Sequence, residues 1–317
     1  SPISTVLIAI LLGILMGNAF TPRPGMMIGL DFTQQYILKL GIIFLGIRLS
    51  FADFIKFGSI AIPLIIICIV GVLILIKLLI KKVPISSKMS YLIAIGTSVC
   101  GATAIVATAP VINAKKSEVA YAIANITLFG VIAMLLYPYF AEWYFDNQSL
   151  NVGLFLGTSI HETSQVAAAG LIYDQQFNSP ETLNVATVTK LIRNTFLVIL
   201  IPLFAFLYNR GEFKGQKYSI FNIFPYFVLG FIGMIIVRNL GDQLYPTGSN
   251  NHEIWVNLIE YLKILATVFL TMAMAAVGIS INLSELKSMG YKPFVVGLIA
   301  AVTVGIISLF YIETLQK

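Results

Sequence analysis

The sequence predicts an all-α membrane protein, with about eight transmembrane helices and two broken hairpin segments in one polytopic domain over residues 1–317. Three observations lead there. Of the 317 residues 58% are hydrophobic and 11% are charged, against about 25% charged in a soluble domain. Several apolar runs, clearest at Phe57 to Ile80, Val119 to Phe140, Leu183 to Tyr208 and Pro293 to Tyr311, approach or exceed the roughly 20 residues that a helix needs to cross ~30 Å of hydrocarbon. The runs are continuous, unlike the two-residue alternation of an outer-membrane barrel. A bilayer offers backbone groups no partner outside the segment, so the runs are helices.

Ten segments follow in order. The first, 3–20, starts directly after Ser1-Pro2 without the basic flank of a signal peptide, and the abrupt start leads to the expectation that one more N-terminal helix precedes it. Segments 34–51 and 57–80 are unbroken, but 89–114 is interrupted by Gly96-Thr97-Ser98-Val99-Cys100-Gly101-Ala102-Thr103. After 118–140 comes 150–173, interrupted by Gly157-Thr158-Ser159-Ile160-His161-Glu162-Thr163-Ser164-Gln165. Segments 183–208, 220–238, 256–283 and 292–311 complete the chain. Small, hydroxylated and charged residues in mid-segment are costly in lipid unless they line a protein-enclosed cavity.

Loop charge decides how the two broken segments run. The fourth is flanked by Lys77, Lys81, Lys82 and Lys88 on one side and by Lys115 and Lys116 on the other. A full crossing would put one cluster outside, against the positive-inside bias. The loops around the sixth, 141–149 and 174–181, hold acidic residues and no lysine or arginine. The fourth segment therefore reads as a hairpin re-entering from the cytoplasm and the sixth as one re-entering from outside. Arg210, Lys214, Lys217, Lys287 and Lys292 then fall in cytoplasmic loops, while Lys56 and Arg238 lie near external ends. This bias accounts for the net charge of +6 better than nucleic acid does.

An internal repeat points the same way. Gly96-Thr97-Ser98-Val99 recurs as Gly157-Thr158-Ser159-Ile160, and the helix after each hairpin ends in Pro-x-Phe, at Pro138 with Phe140 and at Pro202 with Phe204. Gly46-Ile47 with Asp53 and Gly58 matches Gly278-Ile279 with Glu285 and Gly290. Matched members run in opposite directions, and inverted repeats with broken helices meeting near the midplane characterise secondary transporters.

The candidate binding residues lie at the breaks. Free N–H groups and the positive end of the helix dipole at each second arm favour an anion. Ser98 and Thr103 on one tip, and Ser159, Thr163 and Ser164 on the other, add donors; Thr97, Cys100, Gly101 and Thr158 share the same breaks. Each hydroxyl has a second reading as a cap of its own helix. Lys190 and Arg193, three residues apart on one helical face, need an acidic partner, an enclosed cavity or a bound anion; an ion pair with Glu162 would serve one of them. His161 can change charge near neutral pH, and His161 or Glu162 could carry a coupling proton. Asn125, Thr127 and Gln165 line the pocket or join helices.

Enzyme chemistry finds no support. His161-Glu162 lacks the second histidine of a zinc protease motif, His252 sits apart, no phosphate loop occurs, and Cys68 and Cys100 suggest neither a disulfide nor a metal centre. No cofactor or metal is expected.

The runs Gly96 to Ala104 with Ala109-Pro110-Val111, Phe129-Gly130 with Tyr137-Pro138, Ile160-His161-Glu162 with Gln165-Val166 and Ala168-Ala169-Gly170, and Ala273 to Gly278 resemble a family of bacterial inner-membrane proteins known as sulfate exporters. That family, long carried as conserved hypotheticals, is grouped with the cation:proton antiporter and anion transporter superfamily. The resemblance spans essentially the whole chain. It implies a secondary transporter in the bacterial inner membrane and an additional N-terminal hydrophobic segment in family members.

The expectation is an alternating-access carrier, an exporter of a small anion such as sulfate or sulfite, with H+ or Na+ as coupling ion. The hairpin-bearing core, 89–208, would move against flanking helices 1–88 and 209–317, and a homodimer could form through the latter. An anion channel, a sodium-coupled carrier of small carboxylates or sulfonates, and a membrane sensor that binds without transporting remain alternatives.

Overall fold

The computed structural model describes residues 4–20, 23–80, 83, 85–208, 225–249, 251–281 and 291–315. Among them all regular structure is helical: α1 Thr5–Ala19, α2 Pro24–Phe32, α3 Leu38–Leu45, α4 Phe51–Leu79, α5 Ser87–Ser98, α6 Ala102–Thr108, α7 Lys116–Phe145, α8 Ser149–Ser159, α9 Thr163–Phe177, α10 Pro180–Thr195, α11 Leu197–Tyr208, α12 Phe227–Leu244, α13 His252–Ser280 and α14 Tyr291–Leu315. A π turn, Thr33–Ile37, and a 3₁₀ turn, Gly46–Arg48, join α2 and α3 into one rod, Pro24–Arg48. Seven of the described helical rods are long and apolar enough to cross a membrane, and the shorter α1 is also apolar. Seven long apolar rods thus stand among the described residues against the about eight crossings expected, α1 being the shorter helix at the eighth place.

Local chemistry sets the ends. Ser50 and Asp53 form a capping box at α4, with the Ser50 hydroxyl accepting from the Asp53 N–H at 3.1 Å. Glu118 accepts from the Lys115 N–H at 2.7 Å at the start of α7. Asn178 closes α9 in the left-handed region at φ 55°, and Pro180 opens α10 at its first turn.

The two breaks are narrower than the sequence suggested. Helix runs through Gly96-Thr97-Ser98 and through Gly157-Thr158-Ser159, leaving only 99–101 and 160–162 irregular. Small and hydroxylated residues lower helix propensity without forbidding it. The eighth segment also differs, since α12 spans Phe227–Leu244 and carries Arg238 inside the helix, paired to Asp242 one turn on at 2.7 Å. Arg210, Lys214, Lys217, Lys287 and the Glu285 and Gly290 part of the repeat lie outside the described residues.

Both broken segments fold back on themselves. Lys88 donates to the Asn113 carbonyl at 2.6 Å and the Ser86 hydroxyl bonds Glu118, so the start of α5 sits beside the start of α7. Ile105 of α6 lies against Gly96 of α5, which a continuing helix could not achieve. In the second segment the hydroxyls of Ser149 and Ser179 are 2.8 Å apart and Thr182 donates to the Ser149 carbonyl at 3.2 Å. Tyr173 of α9 bonds Glu142 near the far end of α7. The 30 residues of α7 cover ~45 Å, so the hairpins enter the bundle from opposite ends.

Two sets of helices result. α1, the Pro24–Arg48 rod, α12 and α13 pack on one another, whereas α4, α7, α10 and α14 surround the hairpins. The unit around the hairpins thus takes in α4 and α14, which lie outside 89–208. α9 meets α1 and α13 across the boundary.

Candidate functional site

The centre of the molecule is where the two hairpin tips meet α10. Helix α10 lies along α8 with Val185 against Gly153 and Thr189 against Gly157. That register brings the next turn, with Lys190 and Arg193, to both tips. Each of the two cations is 0% exposed.

Their donors go to backbone carbonyls. Lys190 Nζ donates to Val99 at 2.8 Å, to Ile160 at 2.9 Å and to His161, which engages all three of its N–H groups. Arg193 Nε donates to Ser98 at 2.7 Å, and its two terminal nitrogens donate to Thr97 and Thr158. These acceptors are the free carbonyls at the C-terminal ends of α5 and α8, where each helix dipole concentrates about half a negative charge. No carboxylate lies within ion-pair distance of either cation among the described residues. The alternative of an ion pair with Glu162 is therefore not what the structure contains. Carbonyls on two different hairpins can satisfy both cations at once.

Glu162 does different work. Its Oε1 accepts from the Ala102 N–H, the first of α6, at 3.2 Å, so a carboxylate on one hairpin caps the other. Gly101 makes this possible. Its φ of 66° suits glycine, and a Cβ there would lie 2.5 Å from Glu162 Cγ.

Around this crossing lie buried polar atoms that lack a sound hydrogen bond: Thr97 Oγ1, Ser98 Oγ, Ser159 Oγ, Thr189 Oγ1, Asn194 Oδ1 and both ring nitrogens of His161. Buried polar groups are nearly always partnered. A cluster of this kind offers partners to a polar ligand or to ordered water.

Other candidates fall elsewhere. The Thr158 hydroxyl bonds its own helix at Leu154 and Ser308 of α14, both at 2.7 Å, which is the local reading. Thr163 accepts from Asn194 at 2.8 Å, and Gln165 accepts from the Glu162 N–H at 3.2 Å. Asn125 donates to the Pro293 carbonyl at 2.7 Å and joins α7 to α14. Ser164 is buried, Cys100 is half-buried and Thr103 is exposed. Asn194 and Thr189 escaped the sequence reading, although Asn194 stands one turn after Lys190 and a helical projection would have found it.

A cleft of about 540 Å³ opens at the α8 and α10 end, lined by Arg48, Asp53, Phe57, Pro180, Glu181, Asn184 and Lys263. Beside it Arg48 pairs with Asp174 of α9 at 3.0 Å. The cleft therefore lies on the boundary between the two helix sets.

Comparison with known proteins places this chain among bacterial membrane proteins. The chain matches the family described as Conserved hypothetical protein 698 over residues 1–297. It is 35% identical over 303 residues to the UPF0324 membrane protein SAG1125 of Streptococcus agalactiae serotype V, covering 94% of this chain and 86% of that protein. It is 33% identical over 314 residues to the UPF0324 membrane protein FN0533 of Fusobacterium nucleatum, covering 97% and 89%. The UPF0324 inner membrane protein YeiH of Escherichia coli K12 is 32% identical over 305 residues, covering 93% and 81%. No solved structure matches the chain.

Proposed function

We propose that this chain, which belongs to the family Conserved hypothetical protein 698, is a secondary transporter of a small anion in the bacterial inner membrane. One observation carries the reading: a crossing of two hairpin tips that buries Lys190 and Arg193 completely beside a cluster of unpartnered polar atoms. A protein that only needed stable helices would not keep two cations and unpartnered hydroxyls at its centre.

The hairpins are re-entrant, one from each side. The basic residues Lys88, Lys115 and Lys116 lie at the base of the first, which in this reading faces the cytoplasm. Glu142, Asp146, Asp174 and Glu181 gather at the base of the second, outside. In this reading Lys190 and Arg193 hold the tips together and supply field rather than direct contact, because their donors are largely engaged. Ser98, Ser159 and His161 contact an oxyanion such as sulfate or sulfite, and His161 or Glu162 links transport to protons. Alternating access comes from the hairpin unit moving against α1, the Pro24–Arg48 rod, α12 and α13.

The test is binding and counterflow in proteoliposomes with sulfate, sulfite, thiosulfate, taurine and short carboxylates. At least one anion should give saturable counterflow, and Ser98→Ala and Ser159→Ala should each weaken it about tenfold, the worth of one hydrogen bond to a charged group. Non-saturating flux indifferent to an opposing pH gradient would instead identify a channel, and uptake that needs sodium would identify a sodium-coupled carrier. If neither serine variant nor Lys190→Ala and Arg193→Ala affects any anion, the site is elsewhere.

A further inference from the structure

The charges at the crossing form a closed set, and their sum says what a ligand must bring. Among the described residues, the ionisable groups that face one another there are Lys190 and Arg193 on α10, His161 and Glu162 on the second tip, Cys100 on the first tip and Cys68 on α4. The two C-terminal helix ends, of α5 and α8, and the two N-terminal ends, of α6 and α9, carry partial charges of opposite sign that largely offset. Two cations stand against one carboxylate: Lys190 donates through three N–H groups, as only an ammonium can, and Glu162 Oε1 accepts from the Ala102 N–H. With the thiols and the imidazole uncharged, one positive charge is left over, buried and without a counterion.

His161 is the group able to respond. It is 1% exposed and neither ring nitrogen makes a sound hydrogen bond, although the Ser159 backbone is close by. Protonating it beside Lys190 and Arg193 would place a third cation in the same low-dielectric space, so it stays neutral before an anion arrives. A bound dianion reverses the sign of the local charge, and protonation then restores neutrality.

We propose that the crossing is matched to ligand charge: a monoanion binds alone, whereas a dianion binds together with one proton, which His161 accepts. The inference rests on the anion-transporter reading and adds to it a rule for the number of protons. A burial site with one spare positive charge is neutralised by one negative charge. A second negative charge needs a proton, since an uncompensated charge in low dielectric is expensive.

Sulfate and methanesulfonate test it, because they share an SO₃ head and differ by one charge. Calorimetric titration of the purified protein in two buffers of different ionisation enthalpy gives the protons taken up per anion bound. Near pH 7 the expected values are about one for sulfate and about zero for methanesulfonate. By linkage, sulfate affinity should fall about tenfold per pH unit as pH rises, with methanesulfonate much flatter. Glu162→Gln raises the spare charge by one, so sulfate should then bind without proton uptake. His161→Gln should cost sulfate about tenfold more affinity than methanesulfonate. Sulfate binding without proton uptake in the unaltered protein, or equal uptake for both anions, overturns the charge rule and leaves the transporter reading standing. No saturable binding of either anion, nor of the others named above, overturns that reading and the rule with it.

Discussion

Lys190 and Arg193 show what one residue can and cannot disclose. Their cost inside an apolar helix is legible from the chain alone, and the structure buries both where the two hairpin tips meet. Their partners were not legible, because the acceptors come from hairpins some 30 and 95 residues earlier and are backbone carbonyls, which every residue has. This predicts a stability effect independent of any ligand. Arg193→Ala leaves the Thr97, Ser98 and Thr158 carbonyls without their donor, and should lower stability by about 3 kcal/mol in anion-free detergent solution, with Arg193→Lys intermediate. Thermal unfolding of the purified variants measures it. A midpoint equal to that of the unaltered protein would mean that Arg193 does not hold the tips.

For the elements, apolar run length located the described helices except α2, Pro24–Phe32, which falls between the segments 3–20 and 34–51, while ends and turns depended on finer chemistry. The breaks shrank to three residues each because Gly, Thr and Ser remain helical when neighbouring helices pack on them. α12 reached past Arg238 because Asp242 lies one turn on and pairs with it. The fold-back of both broken segments, by contrast, was readable from loop charge. It predicts that single cysteines at positions 88 and 116, in a Cys68→Ala, Cys100→Ser background, react with an impermeant thiol reagent from the same side of the membrane. Cysteines at 149 and 178 should react from the opposite side. Finding 88 and 116 on different sides would mean that the fourth segment crosses the bilayer.

Across the whole molecule, the polar links between the two helix sets among the described residues sit near the end of α9. Arg48, which lines the cleft with Lys263, pairs with Asp174, and the Ser4 hydroxyl donates to Gln175 at 2.7 Å. If the sets move against each other during transport, a thiol crosslinker between Arg48→Cys and Asp174→Cys should stop counterflow, and cleavage of the crosslink should restore it. Undiminished counterflow in the crosslinked protein would show that the sets stay fixed there. By itself the sequence determined the solvent, the helical class, the places where two segments break and the identity of the expensive central residues. Hydrophobic length, loop charge and intramembrane polarity are properties of single segments, so one chain displays them. Only the tertiary structure decided that α4 and α14 belong with the hairpins, that Glu162 caps the opposite hairpin, and that the two cations bind helix ends rather than a carboxylate. Those outcomes depend on which surfaces meet in space, and a carbonyl oxygen leaves no mark on the sequence that would name its donor.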